Sequence, residues 1–243
     1  MLAVARTAPQ VKRVLPTQER DVSSPGALSM SAITPLQRSA IDHAAITLER
    51  AFSPDPMFTW LFPDRTTRPA AVQRLLRVPL EYGLRYGRVT TSHDAKAACV
   101  WILPGPGITI PGMIRSGMLG VPFRTGFGPF GKFMIANETM DKIHKARVPE
   151  PHWYLMVVGV DPELQNQGVG SAIVRDGLAI ADRELKPCYL ETSEPRNLAF
   201  YERHGFIVLE EATLGKGGPP AWAMRREPQH ANSVQASTAE RAG

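Results

Sequence analysis

Cysteine is almost absent from this 243-residue chain: only Cys99 and Cys188 occur, far apart. A disulfide framework and a C-x-x-C metal or redox motif are thereby excluded, and a reducing cytoplasm is the expected compartment. No run approaches the ~18 apolar residues of a membrane span. Arg6, Lys12 and Arg13 interrupt the N-terminal apolar residues before a signal-peptide core forms. No membrane partner is expected. The six histidines are too scattered for a zinc site, so no metal is expected either. Nor is there a Lys/Arg stripe with interleaved aromatics, which argues against nucleic acid as a partner.

What the chain does have is enough apolar residue, 43%, to bury a substantial core in one large domain or two small ones. Its formal charge of +5 is unevenly placed, with +7 over residues 31–149 and −5 over residues 150–224. That split fits an anionic ligand or a mixed surface. Residues 1–30 and 227–243 lack periodicity and read as disordered tails around a domain at 31–226. Met30, just before the first ordered signal, is an alternative start.

Thr34 and Gln37 form a capping box with Pro35 in the first helical position, predicting a helix on which Leu36, Ala40, Ala44, Leu48 and Phe52 recur. A second helix is expected from Pro69 to Tyr86, then a hairpin of residues 88–92 and 97–103 about the turn His93–Lys96. Residues 104–131 hold thirteen Gly or Pro and read as a long lid without regular elements. A helix over 132–147 follows. Beyond it come a strand at 152–160, a helix at 167–184, a strand at 188–192, a short helix at 197–204 and strands at 206–210 and 221–225. Strand, crossover helix and strand imply a parallel pair in a mixed sheet.

Between the first of these strands and its crossover helix lies Gln165-Asn166-Gln167-Gly168-Val169-Gly170-Ser171. Two glycines at a helix N-terminus, where N–H groups are unpaired, suit a phosphate, because a β-carbon there would hold its oxygens away. A Walker loop is excluded, since no Lys-Ser/Thr follows the second glycine. A dinucleotide fingerprint fits poorly: some seven residues separate the strand from Gly168, and Ile173 occupies the third glycine position. A tight turn without ligand is the remaining alternative.

Val160-Asp161-Pro162, then Q-x-x-G-x-G at Gln165–Gly170, then Asn197 and Tyr201–Phe206, resembles the acetyl-coenzyme A signature of the GNAT superfamily of N-acetyltransferases. Residues 190–203 look most like its puromycin N-acetyltransferase branch. The resemblance implies an α/β fold: a mixed, mostly antiparallel sheet with helices on both faces and a splayed central parallel strand pair. Acetyl-CoA would be the co-substrate. It implies Val158, Gly159 and Val160 for pantetheine, with a bulge at Gly159, and Gln165, Asn166, Gln167, Gly168, Val169, Gly170 and Ser171 for pyrophosphate. Asn197 would contact the cofactor, and a backbone N–H near Gly159 or Val160 would polarise the carbonyl.

Acetyl transfer to an amine needs a base, because an alkyl ammonium of pKa ~10.4 is only about 1 part in 2,500 neutral at pH 7. Glu191 is the candidate, against the alternative of a solvated or salt-bridged glutamate; His152 is a second candidate. Tyr201 matches the family's general acid for the leaving thiolate, unless it is simply packed on its short helix. Phe52, Phe58, Trp60 and Phe62 are candidates for an acceptor pocket or for the core. The expected acceptor is a small-molecule amine. A non-catalytic coenzyme A sensor and a protein N-acetyltransferase are the alternatives, and a homodimer is left open.

Overall fold

The computed structural model describes residues 32–92 and 94–229. The tails assigned to 1–30 and to most of 227–243, the alternative start at Met30, and His93 of the hairpin turn lie outside the described residues. In chain order the elements are β1 (Thr34–Pro35), α1 (Ile41–Phe52), α2 (Pro56–Leu61), α3 (Arg68–Tyr86), β2 (Gly87–Thr91) and β3 (Ala97–Ile102). Then come α4 (Ile110–Arg115), α5 (Val121–Thr125), α6 (Phe127–Arg147), β4 (Trp153–Val160) and α7 (Val169–Arg183). The chain closes with β5 (Cys188–Thr192), α8 (Arg196–Glu202), β6 (Ile207–Thr213) and β7 (Pro220–Arg226).

The strands form one sheet in the order β1-β2-β3-β4-β5-β7-β6. Every neighbouring pair is antiparallel except β4 and β5, which α7 joins as a crossover. Helices cover both faces, as the sequence led us to expect. Alternate residues of the central strands divide between them. Val100 and Ile102 face Leu48 of α1 and Val72, Leu76 and Leu80 of α3. Cys99, Trp101, Leu155 and Leu190 face Ile173 and Leu178 of α7 and Tyr201 of α8. Helix α6 lies beside α2 and α5, closing Met140 and Ile143 over Tyr189 and Ala223. Each such Leu, Ile or Val, removed from water, contributes about 1.5–3 kcal/mol.

Two expectations fail here. The capping box at Thr34 and Gln37 does not form: Thr34 and Pro35 pair with Thr91 and Thr90, and α1 starts only at Ile41, after a 3-10 turn. The open edge of β2 offers this segment a ladder, extended by the Leu36 N–H donating to the Val89 carbonyl at 2.9 Å. A short edge strand satisfies more backbone than a local cap does. The second failure is the lid. Residues 104–131 are largely helical, because Pro111 and Pro122 sit in the first turns of α4 and α5, where a missing N–H costs nothing. Gly117 and Gly126, at φ 97° and 93°, make the reversals between these short helices and α6.

Candidate active site

The parallel register runs only through Trp153↔Cys188, Tyr154↔Tyr189 and Leu155↔Leu190. From Met156 onward β4 keeps β3 as its neighbour and has no partner on the β5 side. The pair therefore opens into a slot with Val158, Gly159 and Val160 along one wall. The bulge that helps turn β4 away lies at Met156, between the pairs Val100↔Val157 and Trp101↔Leu155, rather than at Gly159. Gly159 is small for another reason: a β-carbon there would stand 2.7 Å from Leu48 Cδ2, so glycine lets α1 lie close on the strand.

At the end of the slot, Asp161 makes the turn that leads to the glycine loop. Its carboxylate accepts from the Glu163 N–H at 3.0 Å and from Arg50 of α1 at 2.7 Å. Gln165 folds back to donate to the Val160 carbonyl at 3.1 Å, and Gln167 donates to the Glu163 carbonyl at 2.8 Å. Asn166 and Gly168 both take left-handed backbone, at φ 62° and 84°. Gly168 is the N-cap of α7, without a side-chain cap, and a β-carbon on it would meet no atom within 4 Å. The first N–H groups of α7, at Val169, Gly170 and Ser171, thus face open space from the positive end of the helix.

Ser171 also borders a cleft of about 470 Å³ between α7 and α8, lined by Arg175, Arg203, His204 and Arg226. Arg226 is already committed to Asp182 by two bonds of 2.7 and 2.8 Å. Arg175 was not foreseen in the sequence as part of the site. Only a helical count of four from Ser171, along the face that carries the glycine loop, could have singled it out.

Two ionisable groups singled out in the sequence lie on opposite faces of the sheet beside the slot. Tyr201 of α8 is buried between Phe200 and Phe206, at ring separations of 5.2 and 5.9 Å. Burial, and secondarily the nearby Cys99 and Asp55, push its phenol well above the ordinary value, so it stays protonated at neutral pH. Its hydroxyl has no hydrogen-bond partner among the described residues. Asn197, one turn earlier, donates to Thr192 Oγ1 at 3.3 Å.

Glu191 projects to the α6 face, where it is half-buried and makes no salt bridge among the described residues. Its carboxylate accepts from the Tyr189 hydroxyl at 2.9 Å and the Tyr154 hydroxyl at 3.1 Å. Burial pushes this carboxyl up to about 7, against the two phenols that favour its ionised form. His144 stacks on Tyr189 with ring centroids 3.9 Å apart. The Nε2 atoms of His144 and His152 lie 2.6 Å apart, and His152 Nδ1 is 2.6 Å from the Glu150 carbonyl. A carbonyl only accepts, so Nδ1 of His152 carries a proton, and in the neutral ring its Nε2 accepts from His144. Both ring nitrogens of His152 are committed within this cluster.

Of the four aromatics of 52–62, Phe58 and Phe62 belong to the core, with Phe52 packed edge-on to Phe58 at 5.6 Å. Trp60 sits at the boundary with α6, under the Lys132 ammonium at 5.2 Å from its ring centre. One link was invisible in the sequence: Asp55, the N-cap of α2, accepts 2.8 Å bonds from Ser193 Oγ and the Met57 N–H. This buried carboxyl, raised chiefly by desolvation, ties the start of α2 to the end of β5 beside the slot.

An opened parallel pair with a glycine-capped helix at its mouth, in a mixed seven-stranded sheet, is a fold this chain shares with solved acetyltransferases. Comparison with known proteins agrees. Residues 130–208 match the family model described as an acetyltransferase (GNAT) domain. The uncharacterized N-acetyltransferase C550.08 of Schizosaccharomyces pombe is 29% identical over 213 residues, covering 82% of this chain and 84% of that protein. Among solved structures, histone acetyltransferase HPA2 and related acetyltransferase from Corynebacterium glutamicum superposes with a TM-score of 0.59 at 23% identity, over 81% of this chain and 96% of that one. Arylalkylamine N-acetyltransferase 2 from Aedes aegypti gives a TM-score of 0.53 at 11% identity, over 82% and 99%. The family model over residues 130–208 and the Schizosaccharomyces pombe relative are thus similarities to GNAT acetyltransferases, and the solved structures share the fold.

Proposed function

We propose that this protein moves the acetyl group of acetyl-CoA to the amine of a small molecule by direct attack on the thioester, in the cytoplasm, without nucleic acid as partner. The observation that carries the reading is the end of the β4–β5 register at Leu155, which leaves the last residues of β4 without a β5 partner and leads, past the turn at Asp161, to the left-handed Gly168 cap of α7. That pairing of features offers unpartnered strand backbone to amides and unpaired helix N–H groups to a pyrophosphate. The cations Arg175 and Arg203 extend the anion-holding side. Two buried, unpaired thiols, Cys99 and Cys188, suit a reducing compartment.

Glu191 takes the ammonium proton of the acceptor, directly or through a water. With its carboxyl near 7 it is about half ionised at neutral pH and a far better base than an ordinary glutamate. The freed nitrogen attacks the thioester carbonyl carbon and the carbon–sulfur bond breaks. The departing sulfur receives the proton of the Tyr201 hydroxyl, which is refilled from solvent. The tetrahedral nitrogen releases its remaining extra proton to water. The acceptor enters from the α6 face, between Trp60 and the Glu191 cluster. The likeness of residues 190–203 to the puromycin N-acetyltransferase branch favours a small, partly aromatic amine.

Thiol release from acetyl-CoA with a panel of amines that includes puromycin, beside calorimetry with coenzyme A, tests the reading. Turnover with at least one small amine is expected. Binding without turnover on any acceptor would make the domain a sensor, and turnover confined to peptides would make it a protein acetyltransferase. Absence of coenzyme A binding would remove the assignment altogether.

A further inference from the structure

Residues 95–137 contain no acidic residue, while Lys96, Arg115, Arg124 and Lys132 occur there. Within this stretch, α4, α5 and the start of α6 leave large apolar side chains in water. Ile110, Leu119, Phe123 and Phe127 are each more than 60% exposed, at 78%, 62%, 77% and 67%, and Ile114 and Ile135 about half so. Phe123 and Phe127 are in edge-to-face contact at 5.3 Å, which makes one aromatic ridge of the junction between α5 and α6. Arg115, Arg124 and Lys132 are exposed among them. A soluble monomer rarely shows so many apolar side chains in one segment without a partner.

The geometry points to the surface of an anionic lipid bilayer as that partner, met by α4, α5 and the first turns of α6 lying in its interface. Charge decides among the occupants. A second copy of this chain docked through the same surface would bring two sets of Arg115, Arg124 and Lys132 together across a two-fold axis, with no acid in residues 95–137 to offset them. A nucleic acid would be served by the cations but not by Phe123, Phe127, Ile110 and Leu119. Anionic headgroups above acyl chains satisfy both sets at once, the cations at headgroup level and the rings below it. This reverses the expectation of no membrane partner, which rested on the lack of a spanning segment or signal peptide; among the described residues no helix is long and apolar enough to cross a membrane. Peripheral contact needs none. The surface is placed to matter for the reaction, because α6 runs from Phe127 at the ridge to His144 in the Glu191 cluster.

The full chain should co-sediment with vesicles of phosphatidylcholine and phosphatidylserine at 7:3, and release at 0.5 M salt or on vesicles of phosphatidylcholine alone. Phe123→Ser should weaken binding about tenfold, and Arg115→Gln with Arg124→Gln about thirtyfold. Both variants should keep wild-type thermal unfolding and wild-type turnover on a soluble amine. Three results overturn the proposal: no vesicle binding by a folded protein, vesicle binding unmoved by either variant, or a dimer in sedimentation equilibrium that Phe123→Ser dissociates. Binding to heparin that Phe123→Ser leaves intact, with no binding to vesicles, would mean a polyanion surface and overturns it equally.

Discussion

In the proposed reaction the two faces of the sheet divide the labour, and they are built differently. On the α7–α8 face the glycine loop, the helix N-terminus and Arg175 and Arg203 gather positive potential for an anion, and the chain that makes them is nearly continuous. On the α6 face, Glu191, Tyr154, Tyr189, His144 and His152 come from two strands, a loop and a helix, and in the proposed reaction they would handle the proton. The first face relies on backbone geometry and tolerates little change of shape. The second relies on desolvation, which moves one carboxyl from its ordinary range to about 7 and holds His144 down at about 4.

The comparison is broken most severely at Glu191. Glu191→Gln keeps both phenol contacts in shape but removes the base, and turnover should fall by roughly 10²–10⁴. In the wild type, kcat/KM should rise with pH through about 7 and then level; in the variant that inflection should vanish. Steady-state rates from pH 5.5 to 8.5 check both. Tyr201→Phe acts on the other face and should cost on the order of 10² in turnover with little change in coenzyme A affinity. An unchanged rate would make Tyr201 a packing residue. Gly168→Asp places a carboxylate in left-handed backbone before the bare N–H groups of α7, and should weaken coenzyme A about a hundredfold by calorimetry. Unaltered affinity would show that the anion binds elsewhere.

The smallest effect is on stability. The Glu191 carboxyl is raised in the folded protein, so its stabilising contribution is full below its unfolded value near 4.5 and is lost as pH rises through about 7. His144 is lowered, so its contribution is full above 6.5 and is lost as pH falls through about 4. The two run in opposite directions between pH 4.5 and 6.5 and largely offset. Glu191→Gln uncovers the histidine: thermal unfolding should become acid-sensitive in that window, by on the order of 1–2 kcal/mol.

The geometry of the α7–α8 face was largely legible in the sequence because it is set by peptide groups at a fixed offset from two glycines, so that local spacing carries it. Glu191 and Tyr201 were found through their place beside that motif. What surrounds Glu191 was not legible: nothing in the separation of His144, Tyr154 and Tyr189 says that one helix and two strands converge. The contact of Asp55 with Ser193, spanning 138 residues, is of the same kind. The capping box at Thr34 failed because a local signal competed with an edge of β2 that only the folded sheet supplies. Residues 104–131 misled for the opposite reason. Pro111 and Pro122 were read as breakers, although in the first turn of a helix they are starters.

Strand β7 lies between β5 and β6, and its last residue, Arg226, reaches back to Asp182 of α7 and to the His204 carbonyl. A chain growing from its N-terminus therefore exposes the raw flank of β5, beside the reaction slot, until residues 220–226 emerge. Before then β6 has no neighbour in the sheet. Intermediates that still lack residues 220–226 should accordingly be open and sticky, and closure of the β5 flank waits on those seven residues.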